Sequence, residues 1–175
     1  WSGNLVTMEW WDDLWLNEAF ATYIAFKAVD HFFPQWHIWE DFIEVDTARA
    51  FAMDMLHSTH PIAVPVHTPN EVEEIFDSIS YGKGASVLRM IESFIGEEAF
   101  RSGVAAYLTA HAYGNTKAED LWEALERHSS DPVRDMLVAW ITKPGFPLIK
   151  VEAAGERVRI SQERFAAAAN RYDGD

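Results

Sequence analysis

Few residues in this chain combine a reactive side chain with a setting that demands an explanation, and Glu18 comes first among them. It sits within the run from Leu14 to Phe33. There Leu14, Leu16, Phe20, Tyr23, Ile24, Phe26, Val29 and Phe33 leave almost no polar face, so the spacing predicts a helix buried on most sides. Ionising a carboxylate in such a setting without a partner costs roughly several kcal/mol, or drives its pKa upward. Either a metal ion or a cationic or hydrogen-bonding side chain would satisfy it. With no cysteine in the sequence, any metal must be held by histidine or carboxylate. Thr22, one helical turn beyond Glu18, is spaced to support it from behind. Tyr81 is the second candidate, a tyrosine at the glycine-rich start of a predicted helix, where residue type alone fits a structural role. The adjoining Gly82-Lys83-Gly84 is not a phosphate loop, because the Gly-x-x-x-x-Gly-Lys-Ser/Thr spacing is absent. His57 and His60 lie three apart, but a ligand pair at that spacing needs a helix or tight turn and a third ligand. Pro61, Pro65 and Pro69 argue for a loop there, so both are read as surface or structural side chains. His31, His37, His67, His111 and His128 show no ligand spacing.

The elements that must position these residues are mostly helical. Pro34 ends the first helix, and Trp39, Phe42, Ile43, Ala50 and Met53 predict a second from about Gln35 to Leu56. The proline-bearing stretch from His57 to Pro69 reads as an extended loop and as the place for a surface to form. A short acidic helix near Glu71 to Phe76 precedes one that begins close to Tyr81, carries Val87, Leu88, Ile91 and Ile95, and stops at Gly96. A helix from about Glu97 to Ala112 is followed by a turn at Gly114-Asn115. Thr116 with Glu119 reads as a capping box for the next helix, and Asp131-Pro132 as the N-cap and first position of the last. Beyond Gly145 the period becomes two, through Leu148, Ile149 and Val151, a turn at Ala153 to Glu156, then Val158 and Ile160. That is a β-hairpin, and two strands alone are marginal in water, so it is expected to belong to a larger β domain. Residues 166–175 have no apolar period and are expected to be poorly ordered.

Composition bounds the partners. The 175 residues are 49% hydrophobic, enough for one sizeable core, and the eight Trp and eleven Phe are expected mostly to pack within it. Acidic residues outnumber basic ones by 28 to 14, for a net charge of -14, which disfavours nucleic acid and anionic membranes as partners. No apolar run approaches the ~20 residues of a membrane span. The chain opens without an initiator Met or a basic leader, so its true N-terminus is expected upstream. Targeting cannot then be read, and a cytoplasmic location is the default expectation.

Two segments carry a resemblance. Trp1-Ser2-Gly3-Asn4-Leu5-Val6-Thr7, continuing through Trp10-Trp11-Asp12-Asp13-Leu14-Trp15-Leu16-Asn17-Glu18-Ala19-Phe20-Ala21, resembles the stretch that follows the metal motif of zinc aminopeptidases of the aminopeptidase N type, the gluzincin metallopeptidases. In that family a His-Glu-x-x-His helix is followed, about eighteen residues later, by the glutamate that completes the zinc site; the register falls on Glu18. Ser2 departs from the family's usual Phe and is read as tolerated. Independently, Phe76-Asp77-Ser78-Ile79-Ser80-Tyr81-Gly82-Lys83-Gly84-Ala85-Ser86-Val87-Leu88-Arg89-Met90 is similar to the family's tyrosine motif. Weaker matches, including Ser58-Thr59-His60-Pro61-Ile62 and Gly145-Phe146-Pro147, extend the likeness to Phe165.

The resemblance implies a mainly α chain. Residues 1–145 would be the helical part of a thermolysin-like peptidase catalytic domain, and residues 146–175 the start of a β domain and a tail. It implies Zn2+ as cofactor with Glu18 as its anionic ligand, and Tyr81 as hydroxyl donor to the oxyanion formed when water attacks a peptide carbonyl. The substrate would be a peptide with a free N-terminus, cleaved at its first bond. Both histidine ligands and the general-base glutamate would lie before Trp1, so the isolated chain is expected to be inactive and to self-associate through surface the missing part would cover. The alternative is a non-catalytic helical scaffold related to the family.

Overall fold

The computed structural model describes residues 2–165. It is mainly helical and ends in a β-hairpin. Strand β1 (Val6–Met8) leads into helix α1 (Leu14–Phe32), which ends two residues before Pro34 because proline offers no N–H to continue the ladder. Burial of α1 is confined to its first half, at Trp15, Leu16, Ala19, Phe20 and Tyr23. Its far end leaves Phe32 and Phe33 exposed beside Trp36, which stacks on Phe33, so the apolar run does not bury along its whole length.

The helix expected from about Gln35 to Leu56 is present from Ile38 to Asp54, with a π-helical turn within it and a 3-10 turn before it. A 3-10 turn (Pro34–Trp36) gives way at His37, whose φ of 50° lies in the left-handed region. Helix α2 (Ile38–Asp41), a π-helical turn (Phe42–Thr47) and helix α3 (Ala48–Asp54) follow. The loop after α3 is irregular as expected but is pinned rather than free. Ile62 and Val66 are buried, Trp10 donates its indole N–H to the Val66 carbonyl, and Asp12 accepts the Val66 N–H.

A 3-10 helix (Pro69–Ile75) is followed, after a break at Phe76, by a second π-helical turn (Ile79–Lys83) that continues directly into helix α4 (Gly84–Ile95), and Gly96, at φ 89°, ends α4. Lys27 of α1 reaches Glu92 of α4 at 2.6 Å, tying the two helices on their outer side. Helix α5 (Glu97–Ala110) then runs to strand β2 (Gly114–Thr116). The residues read as a turn at Gly114-Asn115 therefore form a strand, parallel to β1 with Val6 opposite Gly114 and Met8 opposite Thr116. Nothing local marks this pairing, because its partner lies at the other end of the helical region.

Helix α6 (Ala118–His128) is capped at Lys117, whose N–H is accepted by Asp120, one residue later than the Thr116–Glu119 box. Thr116 is committed elsewhere, its hydroxyl sharing a buried hydrogen bond of 2.7 Å with Tyr107. Helix α7 (Val133–Ile141) likewise starts one residue later than expected, with Pro132 at its N-cap. Strands β3 (Phe146–Ala154) and β4 (Arg157–Phe165) pair antiparallel from Phe146–Phe165 to Ala154–Arg157. The turn is thus Gly155-Glu156, and Ala153 and Ala154 belong to β3. The tail expected to be poorly ordered lies outside the described residues.

The core joins α1, α4, α5, α6 and α7, with Trp15 stacked on Trp122 at 6.0 Å between ring centroids and both side chains fully buried. Trp122→Ala is expected to destabilise the chain by about 3–5 kcal/mol, because the cavity left beside Trp15 cannot fully collapse. Urea unfolding followed by circular dichroism measures this, and a loss below about 1 kcal/mol would contradict the packing described.

Candidate functional site

Glu18 lies in the second turn of α1, half-buried, where Trp15, Leu16, Ala19 and Phe20 turn into the core. None of the ion pairs among the described residues includes it. Ser2 donates its hydroxyl to the side chain of Asn17, tying the start of the chain to the residue before Glu18. Thr22 donates its hydroxyl to the main-chain carbonyl of Glu18 at 2.8 Å, so its contact is with the backbone and not with the carboxylate.

Tyr81 sits in the middle of the π-helical turn, and that turn packs against α1. Glycine permits the approach. A Cβ at Gly84 would stand 2.7 Å from the Cβ of Ala19, one residue from Glu18, and a Cβ at Gly82 would stand 2.6 Å from the carbonyl oxygen of Asp46 in the other π-helical turn. The two motifs thereby meet. Burial, then the nearby Glu18 carboxylate with its negative charge, push the Tyr81 phenol up to about 12. The hydroxyl therefore keeps its proton throughout the neutral range and can donate it as a hydrogen bond.

The turn bearing Tyr81 is anchored at its start by Asp77. One carboxylate oxygen accepts the N–H of Ile79 at 2.8 Å and of Ser80 at 3.0 Å, and the Asp77 main-chain carbonyl accepts the Tyr81 N–H. The other oxygen meets Nε2 of His60 at 2.7 Å, while Nδ1 of His60 faces the Pro61 carbonyl at 2.6 Å. Both ring nitrogens thus face acceptors, an arrangement that suits the imidazolium. The hydrogen bond to Asp77 raises the His60 pKa above its usual value, against burial, which opposes it. The structural reading of His60 accommodates this, but its service to the tyrosine turn was not apparent from sequence. An aspartate two residues before a helix start was the available signal. Beside Tyr81 opens a cleft of about 250 Å³, lined by Asp46, Arg49, Phe76, Asp77, Ser78 and Gly82.

Among the described residues no three histidine or carboxylate groups converge to hold a metal ion. Glu18, a half-buried carboxylate in none of the ion pairs among the described residues, has the chemistry of one anionic metal ligand. No helix of the described residues is long and apolar enough to cross a membrane.

Residues 1–140 match the Peptidase family M1 domain. The chain is 54% identical over 165 residues to Tricorn protease-interacting factor F2 of Thermoplasma volcanium. It is 49% identical over 170 residues to Leucyl aminopeptidase of Saccharolobus solfataricus, and 49% identical over 165 residues to Aminopeptidase M1-D of Oryza sativa subsp. japonica. These alignments take in 94%, 97% and 94% of this chain but 21%, 22% and 19% of the relatives. The chain therefore spans about a fifth of the length of the relatives it matches.

His60 makes the anchor of the tyrosine turn sensitive to pH. Its folded pKa lies above that of the unfolded chain, about 6.5, so its stabilisation is complete below that pH and is lost as pH rises through the folded value. His60→Gln is expected to cost most stability near about pH 5.5 and progressively less toward about pH 9. Urea midpoints across that range test it; a deficit independent of pH would contradict the charged pair.

Proposed function

The chain belongs to peptidase family M1, and from that premise we propose that the protein containing it removes residues from the free N-terminus of peptides by zinc-dependent hydrolysis. The observation that carries this reading is the packing of the turn that bears Tyr81 against the turn of α1 that bears Glu18, which brings together two residues far apart in sequence and drawn from separately matched motifs. Zinc, when bound, supplies Lewis-acid polarisation of the carbonyl and a water acidified enough to attack at neutral pH.

Glu18 would hold the metal as its one anionic ligand from this chain. A half-buried carboxylate that is in no ion pair among the described residues can take a cation without first losing a partner, and partial burial strengthens that attraction over the one at an exposed acidic residue. Thr22 would act on the main chain, its hydroxyl fixing the Glu18 carbonyl and so the helical turn that presents the carboxylate. Tyr81 would donate its O–H to the carbonyl oxygen as negative charge develops there, an interaction stronger in the transition state than in the bound substrate. The substrate would enter through the cleft beside Tyr81.

In the family it resembles, two histidines and a general-base glutamate complete such a site, and in the full-length protein these are proposed to come from outside the 175 residues. The 175-residue chain alone is accordingly proposed to be inactive and to hold zinc only weakly. Residues from 146 onward are proposed to open a β domain, in keeping with a hairpin whose Val151, Val158 and Ile160 are exposed. The same exposed apolar side chains support self-association of the isolated chain.

In the full-length protein, Glu18→Gln is expected to lower bound zinc well below one per chain. Tyr81→Phe should keep the zinc and lose on the order of 10²- to 10³-fold in kcat. Metal analysis with hydrolysis of an aminoacyl 4-nitroanilide reads both. Full zinc occupancy in Glu18→Gln would refute the ligand assignment, and turnover by the isolated 175-residue chain would refute the division of the site.

A further inference from the structure

Two residues beyond Tyr81, the side chain of Lys83 turns inward. It is 8% exposed, and its Nζ lies 2.8 Å from Oδ2 of Asp54, whose side chain is 1% exposed. Nζ also donates to the Gly145 carbonyl at 2.8 Å. Asp54 Oδ1 in turn accepts the Gly145 N–H at 2.8 Å and the Thr59 hydroxyl at 2.7 Å. Gly145 has φ 85°, a conformation that favours glycine, and so presents both its N–H and its carbonyl to the pair. The end of α3, the loop at Thr59, the turn bearing Tyr81 and the entry to β3 thus converge on one buried ion pair.

The surroundings make that pair rigid. An apolar pocket formed in part by Phe51, Val87, Met90, Trp140 and Phe146 borders it, so the two charges attract in a medium of low dielectric. A buried pair of this kind adds little net stability over an apolar pair of similar volume, which directs attention to the geometry it imposes. Here that geometry concerns the π-helical turn. Asp77 anchors the first residues of the turn and Lys83 anchors its last. Between them, Gly82 lies against the Asp46 backbone with no room for a side chain, and Ser86 donates to the Gly82 carbonyl at 2.8 Å. The backbone of the turn is thus held on both sides of Tyr81.

We infer that Lys83 and Asp54 are positioning residues for Tyr81, holding its hydroxyl beside Glu18 from the hairpin side of the turn. The inference rests on the role proposed above for Tyr81. It implies that the junction between the helical region and the hairpin acts on catalysis, because Gly145 is bonded to both members of the pair.

The test uses the full-length protein and leucine 4-nitroanilide, with Asp54→Asn, the double replacement Asp54→Leu/Lys83→Met, and each of these combined with Tyr81→Phe. The double replacement leaves no charge unpaired and so guards against simple unfolding, which a thermal melt checks. Both variants are expected to lose on the order of 10- to 100-fold in kcat, with KM and zinc content little changed. In the Tyr81→Phe background neither should cause further loss, because the pair acts only through the tyrosine. Losses that multiply in the combined variants, or a folded double replacement with natural kcat, would overturn the inference. Natural kcat in Tyr81→Phe alone would instead bring down the reading of Tyr81 itself, and this inference with it.

Discussion

The close approach of α1 to the π-helical turn at Ile79–Lys83 is the constraint on which the rest depends. It is set by absence of side chain, since Gly84 faces Ala19 and Gly82 faces the Asp46 backbone at distances that a Cβ could not occupy. An added carbon at either glycine would sit inside van der Waals contact with its neighbour and force the packed segments apart. Because Ala19 adjoins Glu18 and Gly84 lies three residues beyond Tyr81, the contact between Gly84 and Ala19 that packs the core also draws the two reactive segments together.

Around that contact the polar groups serve geometry. A π-helical turn widens the helix and loses regular i to i−4 bonding, so its ends need other partners. Asp77 supplies them at the start, with His60 behind it, and the Lys83–Asp54 pair supplies them at the finish. Burial lowers the Lys83 pKa while Asp54 pulls it back, the balance expected where an ammonium stays charged only through its partner. Breaking such a pair from one side costs about 3–5 kcal/mol because it strands the other charge. The turn is therefore anchored by interactions that are individually expensive to disturb, and those anchors reach into the loop after α3 and the hairpin.

The hairpin and the far end of α1 are the parts least satisfied by what surrounds them. Val151, Val158 and Ile160 on β3 and β4, and Phe32 and Trp36 beyond α1, stand exposed. Their sequence patterns read as strand and helix faces, and the burial they anticipate is not supplied by the described residues. Relatives about five times as long are consistent with that shortfall.

The sequence by itself determined which segments are helical, where the strands of the hairpin lie, and which two residues match reactive positions, because apolar period, proline and glycine are local signals. It also placed Glu18 on an apolar helix and so demanded a partner. Only the tertiary structure decided who meets whom. The parallel pairing of Val6–Met8 with Gly114–Thr116, the irregular winding from Pro34 to Asp54, and the bond between Thr116 and Tyr107 have no local signature. They follow from backbone groups and hydroxyls that must be satisfied once distant segments are packed together. The same holds for Lys83, whose residue type and position carry no sign of burial, and which packing sets against Asp54 as a buried ion pair.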